Sequence, residues 1–251
     1  MKNMITIKNV NFAYVKEQPI LRNLSLQITP GEFIGIVGAN GSGKSTFAYL
    51  LNGLIPHAMH GYFTGEVTID GVATRTHNVA FFAKKVGLLF QNPDFSLFNL
   101  TVKAEIAFGL KNLHYDNIEA RITNALAMVG LQNYASRDPQ TLSLGEKQKV
   151  CLAGILALDN DYIVLDEPVA MLDYKSSLEI YSILKKLNQA GKTIIVIEHD
   201  TDFLWRFAQR VIAFAHGELI ADDATIKIFA NKKLLNQLEI KPPHEQSISS
   251  T

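Results

Sequence analysis

Cysteine is almost missing from this chain. Of 251 residues only Cys151 carries a thiol, so no internal disulfide can form. It stands among Leu152, Ala153 and Ile155, which reads as a core position. Net charge is missing too, since 24 basic residues balance 24 acidic ones. Such a chain carries no electrostatic footprint for nucleic acid, and no nucleic-acid partner is expected. Long apolar runs are absent: Val79–Ala83 and Thr193–Ile197 are far too short to span a bilayer. The opening Met-Lys-Asn-Met-Ile-Thr lacks the apolar region of a signal peptide. His57 and His60 have no carboxylate or cysteine close by to complete a metal site, and read as a solvated loop. The absences describe a protein of soluble, cytosolic character that is still free to dock on a membranous partner.

What is present begins at residues 33–53. Phe33 to Val37 is an apolar run that reads as a buried strand, and Gly38 to Gly43 is a glycine-rich turn. Phe47, Leu50, Leu51 and Leu54 then recur at helical spacing. Strand, loop and helix together carry G-x-x-x-x-G-K-[ST], the phosphate-binding loop, over Gly38, Ala39, Asn40, Gly41, Ser42, Gly43, Lys44, Ser45 and Thr46. Glycines at 38, 41 and 43 let backbone N–H groups turn inward with no Cβ in the path of an anion. The new helix adds its free N–H groups and the positive end of its dipole. Lys44 can reach the β- and γ-phosphates and Ser45 can ligate Mg²⁺. A dinucleotide-type G-x-G-x-x-G fits poorly, because Lys44–Thr46 occupy the place of its last glycine. The stretch predicts a nucleoside triphosphate site.

Residues 4–14 alternate as a strand ending at Phe12 and Tyr14, and Leu24–Ile28 reads as a second strand. An aromatic at that strand end can stack on a base or be an ordinary half-buried residue. Strands are expected at Gly65–Asp70, Val86–Phe90, Tyr162–Leu165, Thr193–Ile197 and Val211–Ala215. Helices are expected at about 175–189 and 201–209. Residues 92–142 change to helical periods, with Asp116 and Glu119 read as a capping box and Gly130 closing that helix. Ser143 begins a further helix. The alternation predicts an α/β fold with a mostly parallel sheet and an inserted helical subdomain over about 92–158. Residues 224–240 read as weakly helical and the Ser/Thr tail at 246–251 as disordered.

Four features fall where a phosphate-loop ATPase needs them. The apolar strand Tyr162–Leu165 ends in Asp166 and Glu167, which would present Asp166 to Mg²⁺ and Glu167 to the attacking water at the carboxyl edge of the sheet. Thr193–Ile197 ends likewise in Glu198-His199-Asp200, with His199 a candidate γ-phosphate contact. Gln91, just past its own strand, offers an amide to Mg²⁺ or water. Ser143 to Lys147, at a helix start, offers a hydroxyl and free N–H groups to another anion. Phe95, Leu97, Phe98 and Leu100 crowd a segment too short to bury them all on one helical face, which marks a contact surface.

Residues 2–230 in this order resemble the ATP-binding-cassette (ABC) ATPase domain, with 231–251 as a short C-terminal extension. Gly38–Thr46 is similar to the Walker A loop, Ile163–Glu167 to Walker B and Gln91 to the Q-loop. Leu142-Ser-Leu-Gly-Glu146 resembles the signature, Met171-Leu-Asp173 the D-loop and His199 the switch histidine. The resemblance implies a P-loop NTPase fold with an N-terminal antiparallel β subdomain, and Tyr14 beneath the adenine of ATP. It implies a head-to-tail dimer, homomeric or with a related paralogue, in which Ser143, Gly145 and Asp173 act on the partner's ATP. The chain departs from the pattern at Leu144, at Glu146 and at Ala170-Met171.

Phe90-Gln-Asn-Pro-Asp94, Thr101-Val, Ala107-Phe-Gly109 and Leu238-Glu-Ile-Lys-Pro-Pro243 resemble the energy-coupling-factor group of vitamin and metal-ion importers. That resemblance implies a peripheral subunit on the cytoplasmic face of the cell membrane, driving a transmembrane coupling subunit and a substrate-binding membrane subunit. In the family, the groove beside the Q-loop receives a short helix of the transmembrane subunit. The alternative is a soluble ABC ATPase of translation or DNA repair. A single phosphate loop disfavours the first, and the short Lys44–Ser143 interval leaves no room for the coiled coil of the second.

Overall fold

The computed structural model describes residues 3–244; the predicted disordered tail at 246–251 lies outside them. The chain opens with β1 (Ile5–Ala13), β2 (Leu21–Ile28) and β3 (Phe33–Gly38), followed by α1 (Lys44–Leu51) and the one-turn α2 (Leu54–His57). Next come β4 (Tyr62–Ile69), β5 (Val72–Ala73), α3 (Val79–Ala83) and β6 (Val86–Leu89). The helices α4 (Val102–Asn112), α5 (Ile118–Met128) and α6 (Leu144–Ala157) lead to β7 (Tyr162–Asp166). After it run α7 (Tyr174–Gln189), β8 (Thr193–Ile197), α8 (Thr201–Phe207), β9 (Arg210–Ala215) and β10 (Glu218–Ala224). Last are α9 (Thr225–Ala230) and α10 (Lys232–Gln237).

Two sheets organise these elements. An antiparallel sheet runs β2-β1-β4-β5, and a six-stranded sheet runs β10-β9-β3-β8-β7-β6. In the second, every pairing is parallel except β10 with β9. β3, β7 and β8 are buried at every residue, as strands covered on both faces must be. α1 lies between the sheets, where Phe47, Ala48, Leu50 and Leu51 share a core with Ile5 and Ile28 of one sheet and Ile36 and Val164 of the other. The opposite face of the large sheet packs on a second core holding Val102, Ile106, Ile122, Leu126, Val150 and Leu184. That core joins α4, α5 and α6 to the large sheet. Cys151 packs against it, and burial pushes its thiol up to about 12.

Several local expectations are corrected. The Asp116–Glu119 capping box does not form: the N-cap is Asn117, at φ 56°, with no side-chain cap bond. The helix therefore starts one residue later than a box would need, and Glu119 instead meets Lys103 at 2.8 Å. Gly130 does close the helix, at φ 74°, with Leu131 N donating to Leu126 O at 2.8 Å. His57 is not in a solvated loop but in α2, where its Nε2 is 2.7 Å from Thr74 O. β2 and β4 start three residues before their expected first residues, and β6 stops before Phe90. β10 was not expected, because Asp222 and Asp223 break its apolar pattern; Arg210 holds the Asp222 carboxylate through two bonds of 2.6 Å.

Candidate active site

β3 sits in the middle of the large sheet, so the turn after Gly38 emerges at its carboxyl edge. Two of the glycines there, Gly38 and Gly43, are dictated by space as much as by φ, whereas Gly41 has open space around it and is set by φ alone. A Cβ on Gly38 would lie 2.3 Å from Phe214 O, and one on Gly43 would lie 2.8 Å from Leu21 Cδ2, with both residues at positive φ. Gly43 is also the N-cap of α1 and supplies no side chain to it, leaving the first N–H groups of the helix open to the loop. The Ser42 hydroxyl is buried there without a partner. Lys44 folds over the loop, its Nζ donating to Gly38 O at 2.8 Å and Ala39 O at 3.0 Å. Burial pushes its pKa down, against the opposing pull of Glu167 and Asp166. The result is a cleft lined by Tyr14, Asn40, Gly41, Gly43, Lys44, Ser45, Thr46 and Glu167.

The adjacent strands β6, β7 and β8 bring the remaining groups to this edge. Asp166 is buried, and burial pushes its carboxyl up while a hydrogen bond from Ser45 opposes the shift. Ser45, Gln91 and Asp166 line one cleft. Glu167 adopts φ 48°, a strained conformation for a residue with a side chain. Its backbone N–H is fixed by Ile197 O at 3.0 Å. Gln91 Nε2 donates to Glu167 Oε2 at 2.6 Å, and His199 Nε2 lies 3.1 Å from Oε1. Residues 76 and 32 positions away in sequence thus meet on one carboxylate.

Ser143, Gly145 and Asp173 stand elsewhere. Neither Ser143 nor Gly145 lines the clefts around Lys44 and Ser45. Ser143 caps α6 in a full capping box, its hydroxyl and N–H both donating to Glu146 Oε2 at 2.9 Å. Tyr134 donates to the other oxygen of Glu146 at 2.7 Å, which with the Ser143 bonds pushes that carboxyl below its ordinary range. The serine hydroxyl expected to face an anion is therefore held by its own helix. Asp173 caps α7 by accepting from Ser176 N at 3.0 Å and Ser176 Oγ at 2.6 Å. A Cβ on Gly145 would come within 3.0 Å of that Ser176 hydroxyl, so the starts of α6 and α7 are neighbours within the chain.

Sequence reasoning assigned no role to two features beside the site. Glu198 is 3% exposed, and burial pushes its carboxyl up to about 7. The segment Leu238–Lys241 lines a cavity with Gly38, Asn40 and His199. It is tied down by Thr201 Oγ1 donating to Lys241 O at 3.0 Å and by His244 N donating to Asp202 at 2.6 Å. Its signal in the sequence was the stretch Leu238-Glu-Ile-Lys-Pro-Pro243, which resembled the energy-coupling-factor group without indicating where it packs; Leu238 is buried.

A phosphate loop beside an Asp-Glu strand end, with amide and imidazole converging on the glutamate, defines a nucleoside triphosphatase. Residues 21–170 match the family described as ABC transporter, and the chain belongs to that family. It is 37% identical to the energy-coupling factor transporter ATP-binding protein EcfA of Methanothermobacter thermautotrophicus, over 96% of this chain and 77% of that protein. Among solved structures it is similar to cbiO1 from Clostridium perfringens, part of the ABC transporter complex cbiONQ. That likeness has a TM-score of 0.82 and 26% identity over the whole of both chains. It is also similar to the ATP-binding cassette MJ0796, solved as a dimer in a post-hydrolysis state with ADP and Pi. There the TM-score is 0.77 and the identity 32%, over 88% of this chain and 99% of that one. The protein is an ATP-binding, ATP-hydrolysing subunit of ABC transporter type. No helix among the described residues is long and apolar enough to cross a membrane.

Proposed function

We propose that this chain is the peripheral ATPase of an importer of the energy-coupling-factor type, at the cytoplasmic face of the membrane, powering uptake of a vitamin or metal ion. The EcfA relative and the cbiO1 neighbour support the transporter class. The MJ0796 dimer supports pairing with a second ATPase copy or a related paralogue. The partners in this reading are a transmembrane coupling subunit and a membrane subunit that binds the solute. The domain reading stays as a cassette over residues 2–230, with 231–251 an extension.

The single observation that carries the catalytic part is the convergence of Gln91 and His199 on Glu167. In this reading Tyr14 lies under the adenine, and the backbone from Gly38 to Gly43 cradles the phosphates. Lys44 exchanges its two loop carbonyls for phosphate oxygens, and Ser42 and Thr46 line the same cradle. Glu167 orients the attacking water and accepts its proton, while Gln91 and His199 hold that carboxylate in place, His199 also facing the γ-phosphate. Ser45, Gln91 and Asp166 form an all-oxygen donor set with one carboxylate, which suits Mg²⁺ held jointly with substrate phosphates. When bound, Mg²⁺ neutralises phosphate charge in such sites. Ser143, Gly145 and Asp173 serve the partner's site.

Replacing Glu167 with Gln tests this reading. The variant should bind ATP as the wild type does and hydrolyse it about 10²–10⁴-fold more slowly in the purified complex. Near-normal turnover would refute the assignment of Glu167. Mass spectrometry of the complex purified with its membrane partners identifies the importer class.

A further inference from the structure

Glu198 immediately precedes His199, and its carboxyl group is buried, a costly place for an acid unless its oxygens are bonded. They are. Oε1 accepts from the backbone N–H of His199 at 2.9 Å and of Asp200 at 3.3 Å. Oε2 accepts from the Tyr181 hydroxyl at 3.3 Å. Tyr181 is itself fully buried, its ring stacked on Phe203 at 4.6 Å and Phe207 at 5.1 Å. The carboxyl thus joins the turn after β8 to the aromatic stack between α7 and α8. Open space flanks that turn on both sides. One cavity is shared with Gly38, Asn40 and Ile240, the other with Glu167, Leu172 and Phe203, and Glu198 and His199 line both. The His199 imidazole is 45% exposed, so little side-chain packing holds it. Its position is left to the backbone turn.

We propose that Glu198 is a positioning residue for ATP hydrolysis: by accepting the N–H groups of His199 and Asp200, it fixes the turn that keeps His199 Nε2 3.1 Å from Glu167. The inference rests on the reading of His199 as a γ-phosphate contact. It requires an acceptor at position 198, and a charge there is not required. A misplaced imidazole slows the chemical step while leaving the phosphate loop intact, so turnover falls far more than ATP affinity.

Three variants of the full chain separate the possibilities. Glu198→Met fills the same space without an acceptor, Glu198→Gln keeps a carbonyl oxygen, and His199→Ala tests the underlying reading. Steady-state ATPase assays give kcat and KM, melting curves follow the fold, and a fluorescent ATP analogue reports affinity. E198M should lose about 10–100-fold in kcat, the scale of a misplaced catalytic group, with a far smaller change in KM and ATP affinity. E198Q should keep the wild-type kcat. If H199A turns over normally, the reading of His199 fails. If H199A is inactive while E198M keeps its kcat, the role of Glu198 alone fails. Equal losses in E198M and E198Q, or a fall in ATP affinity that matches the fall in kcat, also overturn it. The His199 imidazole nitrogen resonances give a second measure, independent of E198M. They should coincide in wild type and E198Q, and their separation counts against the proposal.

Discussion

At Tyr14 the ring stands 42% exposed above the loop, edge-on to Phe12 at 4.8 Å, with its hydroxyl 3.4 Å from Thr46 Oγ1. A base can therefore stack on the free face of the ring without displacing core. Tyr14→Ala should weaken ATP binding by about 1–3 kcal/mol, the value of a base–aromatic stack, as read by titration with a fluorescent analogue. Glu198 makes a second prediction, in stability. Its folded pKa is raised from 4.5 to about 7, mainly by burial, with Asp200 pushing the same way. Between those values the folded state holds a proton that the unfolded chain gives up. The resulting stabilisation is complete below the unfolded value and is lost as pH rises through 7. Relative to E198Q, which has no such proton, the wild type should lose about 3 kcal/mol from acid to mildly alkaline pH. Denaturant melts of both proteins across that range measure it, and parallel curves would refute it.

Among the elements, the segment between β6 and α4 divides its apolar residues in two. Leu97 is 4% exposed and belongs to the core, whereas Phe95 and Leu100 are 88% and 85% exposed. Phe98 is also mostly exposed, edge-on to Phe108 at 4.9 Å. Phe95 and Phe98 line the cleft that also holds Gln91, Ser45 and Asp166. An amphipathic helix of a membrane subunit seated there would touch both the aromatics and the glutamine loop. Phe95→Glu or Phe98→Glu should therefore weaken pull-down of the membrane subunit and uncouple transport, with ATP affinity and melting temperature unchanged. Normal assembly would return the two rings to a structural role. The helix α6 carries the opposite lesson: its capping box stabilises the helix start with the same serine hydroxyl that the signature role would present to a phosphate.

At the scale of the whole molecule, Ser143 lies away from this chain's own phosphate cleft, so the signature role requires a second cassette. In the Glu167→Gln background, ATP should drive a stable dimer, and adding Ser143→Arg should abolish it while monomer affinity for ATP persists. Analytical ultracentrifugation with and without ATP reads both outcomes. A dimer that survives the arginine, or a loss of monomer binding, would remove the signature from the interface.

The site residues contributed by strand ends were legible because each carries a local pattern. Gly38–Thr46 combines a buried strand, glycines and a lysine within one turn, and Asp166-Glu167 and His199 each close an apolar run. Such patterns rest on backbone geometry and burial over a few residues, which neighbouring side chains alone specify. The sequence by itself therefore determined the phosphate loop, the parallel sheet and the identity of the groups at its edge. It did not determine that Gln91 and His199 would share one carboxylate, because that depends on β6, β7 and β8 lying side by side. Nor did it determine that Glu198 would lie buried against Tyr181, or that Leu238–Lys241 would line a cavity with the phosphate loop. Those are contacts between segments distant along the chain or choices among competing partners. Packing of the complete fold decides them, since only there does burying a polar group fix which partner it must take.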